Sequence, residues 1–181
     1  PNTSILLKSS NSATYATDSS PNAVTVTSNG SPAYSSTSPF TGYVAQKLGY
    51  DGTQYIHGVF DEVSPMSSGS LSFNGSNQYL SLSGSSAFSI PTNTTPFTVE
   101  FWANFTSTNQ NYIFSETYTG SGNPVNFYIG MGDGSSTPDF GGMYPTIGYY
   151  TGAAWATSAT TTSQLSLNTW YHLAFVFTGS A

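Results

Sequence analysis

Apolar and polar positions alternate most clearly in two stretches of this chain. In Phe97–Phe105 (FTVEFWANF), Phe97, Val99, Phe101, Ala103 and Phe105 fall on one side of an extended backbone, and Thr98, Glu100, Trp102 and Asn104 on the other. Successive side chains of a strand point to opposite faces, so this spacing predicts a long strand with one face in a core. Trp170–Phe177 (WYHLAFVF) predicts a second strong strand. Weaker runs predict strands at Ser4–Leu7, Ala23–Ser28, Tyr112–Tyr118, Val125–Met131 and Thr146–Tyr150. Leu71–Leu82 (LSFNGSNQYLSL) places apolar residues on both sides of Asn74-Gly75, a pattern that predicts a hairpin. Tyr15–Asn22 is rich in turn formers, Ser31–Gly42 is a Ser/Pro-rich loop, and Ala153–Thr162 reads as a brief turn. No segment shows a helical period, no internal repeat is evident and no linker separates two domains. The expected architecture is a single all-β domain over 1–181, a sandwich or barrel, with an insert at about 43–68.

Composition sharpens this picture. Hydrophobic residues make up 37% of the 181 and aromatics 15%, so the core can rest on rings that each bury a large apolar area. Charged residues are only 6%, where about a quarter is usual. The polar surface must therefore come from uncharged side chains, and 31 Ser with 25 Thr supply it. Two Lys, no Arg and eight acids give a net charge of −6. Phosphate neutralisation and docking on anionic lipid both need clustered Lys and Arg, so neither nucleic acid nor a membrane surface is an expected partner. No apolar run is long enough to span a bilayer. The absence of cysteine excludes disulfides and thiolate metal sites. The chain opens at Pro1 without a basic-then-apolar leader, which reads as a processed or partial product.

Four segments, in order, resemble laminin-G-like domains of the concanavalin A-like lectin/glucanase superfamily. Asp18-Ser19-Ser20-Pro21-Asn22 resembles their early Asp-Ser turn, and Leu71–Leu82 their strand–Asn-Gly-Ser–Tyr-Leu unit. Phe97–Trp102 (FTVEFW) and Asn168–Phe177 (NTWYHLAFVF) are similar to their two most recognisable strands. The opening strand, the Ser/Thr-rich loops and the lack of cysteine are closest to laminin-G-like domains of bacteriophage virion proteins. The resemblance implies an antiparallel jelly-roll β-sandwich. The family continues after its Trp-His strand to a Gly-hydrophobic-Ile-Asp-Glu-Val element, so a chain ending at Ala181 is expected to lack the last strands. Gly58–Val63 (GVFDEV) looks like that element placed early, by chance or by a rearranged strand order. An edge left open by missing strands would need cover, so a homo-oligomer or an assembly-bound state is expected.

Candidate chemistry follows. Glycanases of related fold need two carboxylates a few ångströms apart. Glu100 and Glu116 each stand alone in a predicted strand, and Asp61-Glu62 would face opposite sides, so these acids read as solvated and the chain as not an enzyme. His172 reads as a packed strand residue, His57 has no identifiable partner, and two His without Cys argue against zinc. Phe101, Trp102 and Trp170 read as structural from their strand positions. Sugars dock on exposed rings flanked by polar groups. The candidate carbohydrate site is Tyr144, Tyr149, Tyr150 and Trp155, in a Gly/Thr-rich stretch read as mostly loop, with Asp133 and Asp139 nearby. No cofactor is expected. Relatives bind calcium through loop Asp and backbone oxygens, which leaves Asp133 and Asp139 as calcium candidates. Asn-x-Ser/Thr sequons start at Asn2, Asn74, Asn93 and Asn104 and matter only in a glycosylating host.

Three functional readings remain. One is a virion surface protein (capsid decoration, fibre or spike) with glycan or host adhesion, located on the virion or outside the cell and partnered by other virion subunits. The second is a secreted bacterial carbohydrate-binding module. The third is a glycoside hydrolase or lyase.

Overall fold

The structure is a computed structural model and describes residues 5–9, 11–40, 49–50, 55–56, 69–82, 96–108, 112–116, 127–134, 142–150 and 155–178. Among these the chain is all-β: every assigned pairing is antiparallel and no helix occurs. The chain divides into two compact units, Pro1–Ser89 and Ile90–Ala181.

Among the described residues the first unit contains six short strands: β1 (Val26–Asn29), β2 (Ala33–Ser35), β3 (Gly49–Tyr50), β4 (Tyr55–Ile56), β5 (Ser70–Ser72) and β6 (Tyr79–Leu82). β3 and β4, within the expected insert, pair with each other. The predicted hairpin at Leu71–Leu82 does not form. β6 pairs with β1 and β5 with β2, so the two runs continue one ladder rather than fold back on each other. Residues 30–32 on one side face 73–78 on the other, and the Asn-Gly segment is an outward bulge in that ladder. The bulge is held by its own side chains. Asn74 Oδ1 accepts from the N–H groups of Ser76 (3.0 Å) and Asn77 (3.2 Å), and the Asn74 N–H donates to Gln78 Oε1 (2.7 Å). Gln78 Nε2 then donates to the Ser31 carbonyl across the ladder (2.8 Å). Gly30 (φ +68°) is required opposite it, since a Cβ there would lie 2.3 Å from the Asn77 carbonyl oxygen. Ser31–Gly42, read as loop, contributes β2.

Within the described part of the predicted first strand, pairing reduces to a single bridge between Leu7 and Asp18. Asp18 is the reason. Its Oδ1 accepts from the N–H groups of Leu6 (2.9 Å) and Ser20 (2.8 Å), and its Oδ2 from the Ser20 hydroxyl (2.8 Å) and the Val24 N–H (2.7 Å). The carboxylate is buried and satisfies backbone donors that would otherwise belong to a ladder. β1 accordingly starts at Val26, not at Ala23, whose φ of +47° breaks the extended run. Burial works against the charge, but the Leu6, Ser20 and Val24 N–H groups and the Ser20 hydroxyl outweigh it. The Asp18 pKa is lowered from 3.8 to about 2.

The second unit holds β7 (Phe97–Asn104), β8 (Tyr112–Glu116), β9 (Phe127–Gly132), β10 (Tyr144–Tyr150), β11 (Trp155–Thr160) and β12 (Trp170–Phe177). β8 to β11 form one sheet in the order β11-β10-β9-β8, and β7 and β12 pair as a two-stranded ribbon. The ribbon packs against the sheet. Phe127, Ile129 and Ile147 form the buried centre, and Phe97, Val99, Phe101, Phe114 and Phe175 close around it. The rings meet edge-on or offset: Phe97 stands 5.3 Å from Phe127 at 82° and Phe101 6.1 Å from Phe175 at 14°. This is a β-sandwich core, and the alternation of Phe97–Phe105 supplies one wall of it as expected.

β11 occupies the stretch expected to be a turn. Ala, Thr and Ser show little apolar contrast along Trp155–Thr160, so no alternation marks it, yet Thr suits an extended chain and β10 supplies the ladder. The pairing needs a register shift between Ile147 and Gly148. Gly148 is there because Tyr128 occupies the space of its side chain: a Cβ would come 2.4 Å from the buried ring.

Candidate functional site

Along the described backbone the expected carbohydrate residues fall into two groups. Tyr144 and Asp133 come together at one end of the β9–β10 pair, where Tyr144 is registered with Gly132. Tyr149 and Tyr150 lie at the far end of β10, with Tyr150 opposite Trp155 of β11. Six residues of extended backbone separate the groups, on the order of 20 Å. The loop reading is therefore corrected for Tyr144 and Trp155, which are strand residues as Tyr149 and Tyr150 were expected to be, and extension of β10 separates Tyr144 from the other three. Tyr144 is also committed to packing. Its ring covers Gly134 (φ +91°), where a Cβ would lie 2.8 Å away. Asp133 is exposed, while Asp139 lies outside the described residues. Among the described residues no three His, Cys, Asp or Glu side chains converge as a metal site would require.

A different arrangement stands on the outer face of the ribbon. Thr98, Glu100 and Trp102 point away from the core on β7, and His172, Ala174 and Val176 do so on β12. Register places His172 opposite Trp102 and Ala174 opposite Glu100. The Trp102 and His172 rings lie 5.2 Å apart at 30°. His172 Nε2 is 3.8 Å from Glu100 Oε2. Trp102 is 43% exposed, so its strand position does not make it a core residue. Its place beside Glu100 was legible in the i, i+2 spacing. What the spacing could not show is that the third member, His172, arrives from a strand 70 residues later.

The model of the concanavalin A-like lectin/glucanases superfamily, in its laminin-G form, matches residues 74–181. The chain belongs to this superfamily. The match takes in β6 and the whole second unit, including the sandwich core and the Trp102 face, and it confirms the fold class expected from the ordered motifs. No curated protein and no solved structure matches the chain. As its name says, the superfamily spans sugar-binding lectins and sugar-cleaving glucanases, so membership alone points to carbohydrate and leaves catalysis to the residues. No helix among the described residues is long and apolar enough to cross a membrane.

Proposed function

We propose that this chain is a non-catalytic carbohydrate-binding adhesion module displayed on a virion surface. The family match carries the reading, because both functions in the superfamily's name act on carbohydrate. The non-catalytic part rests on Glu100. Glycoside cleavage uses two carboxylates flanking one bond, whereas Thr98, Trp102, Ala174 and His172 surround Glu100 on its face and none is an acid. The virion setting rests on the resemblance of the opening Ser4–Leu7 run and of the Ser/Thr-rich, cysteine-free composition to phage laminin-G-like domains. In such a setting the module works in many copies, packed beside other subunits as a homo-oligomer or decoration.

A glycan array tests the first part. Specific retention of a saccharide, recovered at its original length after prolonged incubation, is the expected result. Release of shorter products, lost in Glu100→Gln, would make the chain a hydrolase. Purified particles test the setting, with many copies per particle expected. The chain found free in medium with no particle would instead favour a secreted bacterial carbohydrate-binding module.

A further inference from the structure

A two-stranded ribbon with one face in a core ordinarily turns polar side chains to water on the other. The outer face of the β7–β12 ribbon departs from this. Trp102 stands in its middle with 43% of its surface exposed, and Val176 at its end is 64% exposed. Polar groups flank the indole rather than replace it. Glu100 shares its face two residues away, and His172 lies across from it with its ring against the indole. The 3.8 Å between His172 Nε2 and Glu100 Oε2 is too long for a hydrogen bond. With side-chain exposures of 46% for His172 and 65% for Glu100, both groups are open to an incoming partner.

We infer that this face binds an uncharged saccharide, with Trp102 as the stacking platform and with Glu100 and His172 bonding to its hydroxyls. The inference rests on the carbohydrate-binding reading above and gives it a site and a ligand class. A pyranose has an apolar C–H face and a rim of hydroxyls. An indole covers the first, and a carboxylate and an imidazole beside it serve the second. Charge selects among sugars. Neither β7 nor β12 contains Lys or Arg, Glu100 is part of the platform, and the chain carries −6 overall. A sulfated or carboxylated glycan would meet repulsion without a compensating cation. The same deficit disfavours a second copy of the chain as the occupant, since it would bring only Lys8 and Lys47 against its own eight acids.

The test is titration calorimetry with neutral oligosaccharides of glucose, galactose and N-acetylglucosamine, and with heparin as the acidic counterpart. At least one neutral oligosaccharide binds and heparin does not. Trp102→Ala and Glu100→Gln each weaken that binding about tenfold or more. Tyr79→Ala, which removes a more exposed ring from the other unit, leaves it unchanged. Glu100→Gln keeps the shape of an exposed side chain, so its effect is read without a folding defect even if Trp102→Ala proves unstable. A neutral sugar bound equally well by both variants overturns the site and leaves the carbohydrate reading standing. Preference for heparin overturns the ligand class. Self-association abolished by Trp102→Ala would make the face a contact between copies. Failure to bind any saccharide overturns both this inference and the reading on which it rests.

Discussion

The two units of this chain are held by opposite means. In Ile90–Ala181 the described residues close around Phe127, Ile129 and Ile147, and the side chains that enclose them are aromatic or aliphatic. In Pro1–Ser89 the buried hydrophobic side chains reduce to Val24 among the described residues, while Ser9, Asp18, Ser20 and Ser38 are buried polar groups. There the backbone is organised by Asp18 and by the Asn74–Gln78 bulge. A chain with 6% charged residues thus spends one carboxylate as an internal fastener. The lesson is that a low-charge sequence does not imply uniform apolar packing. The first unit should be sensitive to acid, and the second to loss of volume.

Substitutions can break this contrast, starting with the largest expected effect. Ile129 is fully buried at the centre of the core, so Ile129→Ala removes both transfer free energy and packing, and costs about 2–5 kcal/mol. Denaturant unfolding followed by tryptophan fluorescence measures it. A loss below about 1 kcal/mol would mean that the core is not the organising element of the second unit. Gly148→Ala probes the same unit from the side of Tyr128. The added methyl must displace a buried ring or the strand, and overpacking of this kind costs about 1–3 kcal/mol. The same melts report it.

Asp18 sharpens the other half of the comparison through pH. Its folded-state pKa lies below its unfolded value of 3.8, so its contribution is fully present above about pH 4. It declines as pH falls through 3.8 and is gone below about 2. Asp18→Asn is expected to be less stable than the parent at neutral pH and to lose that pH dependence. Parallel stability curves for parent and variant between pH 4 and pH 2 would show that the carboxylate is not the fastener. The smallest effect belongs to the ribbon's outer face. Val176→Thr, at an exposed strand position, should change stability by no more than about 0.5 kcal/mol by thermal melting.

How far the sequence revealed these features depended on contrast between neighbouring residues. β7 and β12 were legible because large rings alternate with polar or small groups, and their observed bounds agree with the expected ones to within a residue. β11 was not legible because Ala, Thr and Ser differ too little to show a period. The Asn74 bulge resembled a hairpin because an Asn-Gly turn signal does not reveal which strands pair, and only β1 and β2 supply that. The spacing of the candidate residues was hidden for a related reason. Tyr144 and Trp155 are close in sequence, but the ladder sets them at opposite ends of β10, whereas it brings His172 beside Glu100 and Trp102 from a distant strand. Asp18 was visible only as part of a turn motif, and its role depends on Leu6 and Val24 lying on either side of it.

The central claim is that the Trp102 face, and not the β10–β11 hairpin, meets carbohydrate. The chain has three tryptophans, Trp102, Trp155 and Trp170, so their indole N–H resonances in a nitrogen-15 correlation spectrum test it most directly. On addition of the neutral oligosaccharide that binds, the Trp102 indole signal should move progressively while that of Trp155 stays in place. Movement of the Trp155 signal with Trp102 unaffected would contradict the account.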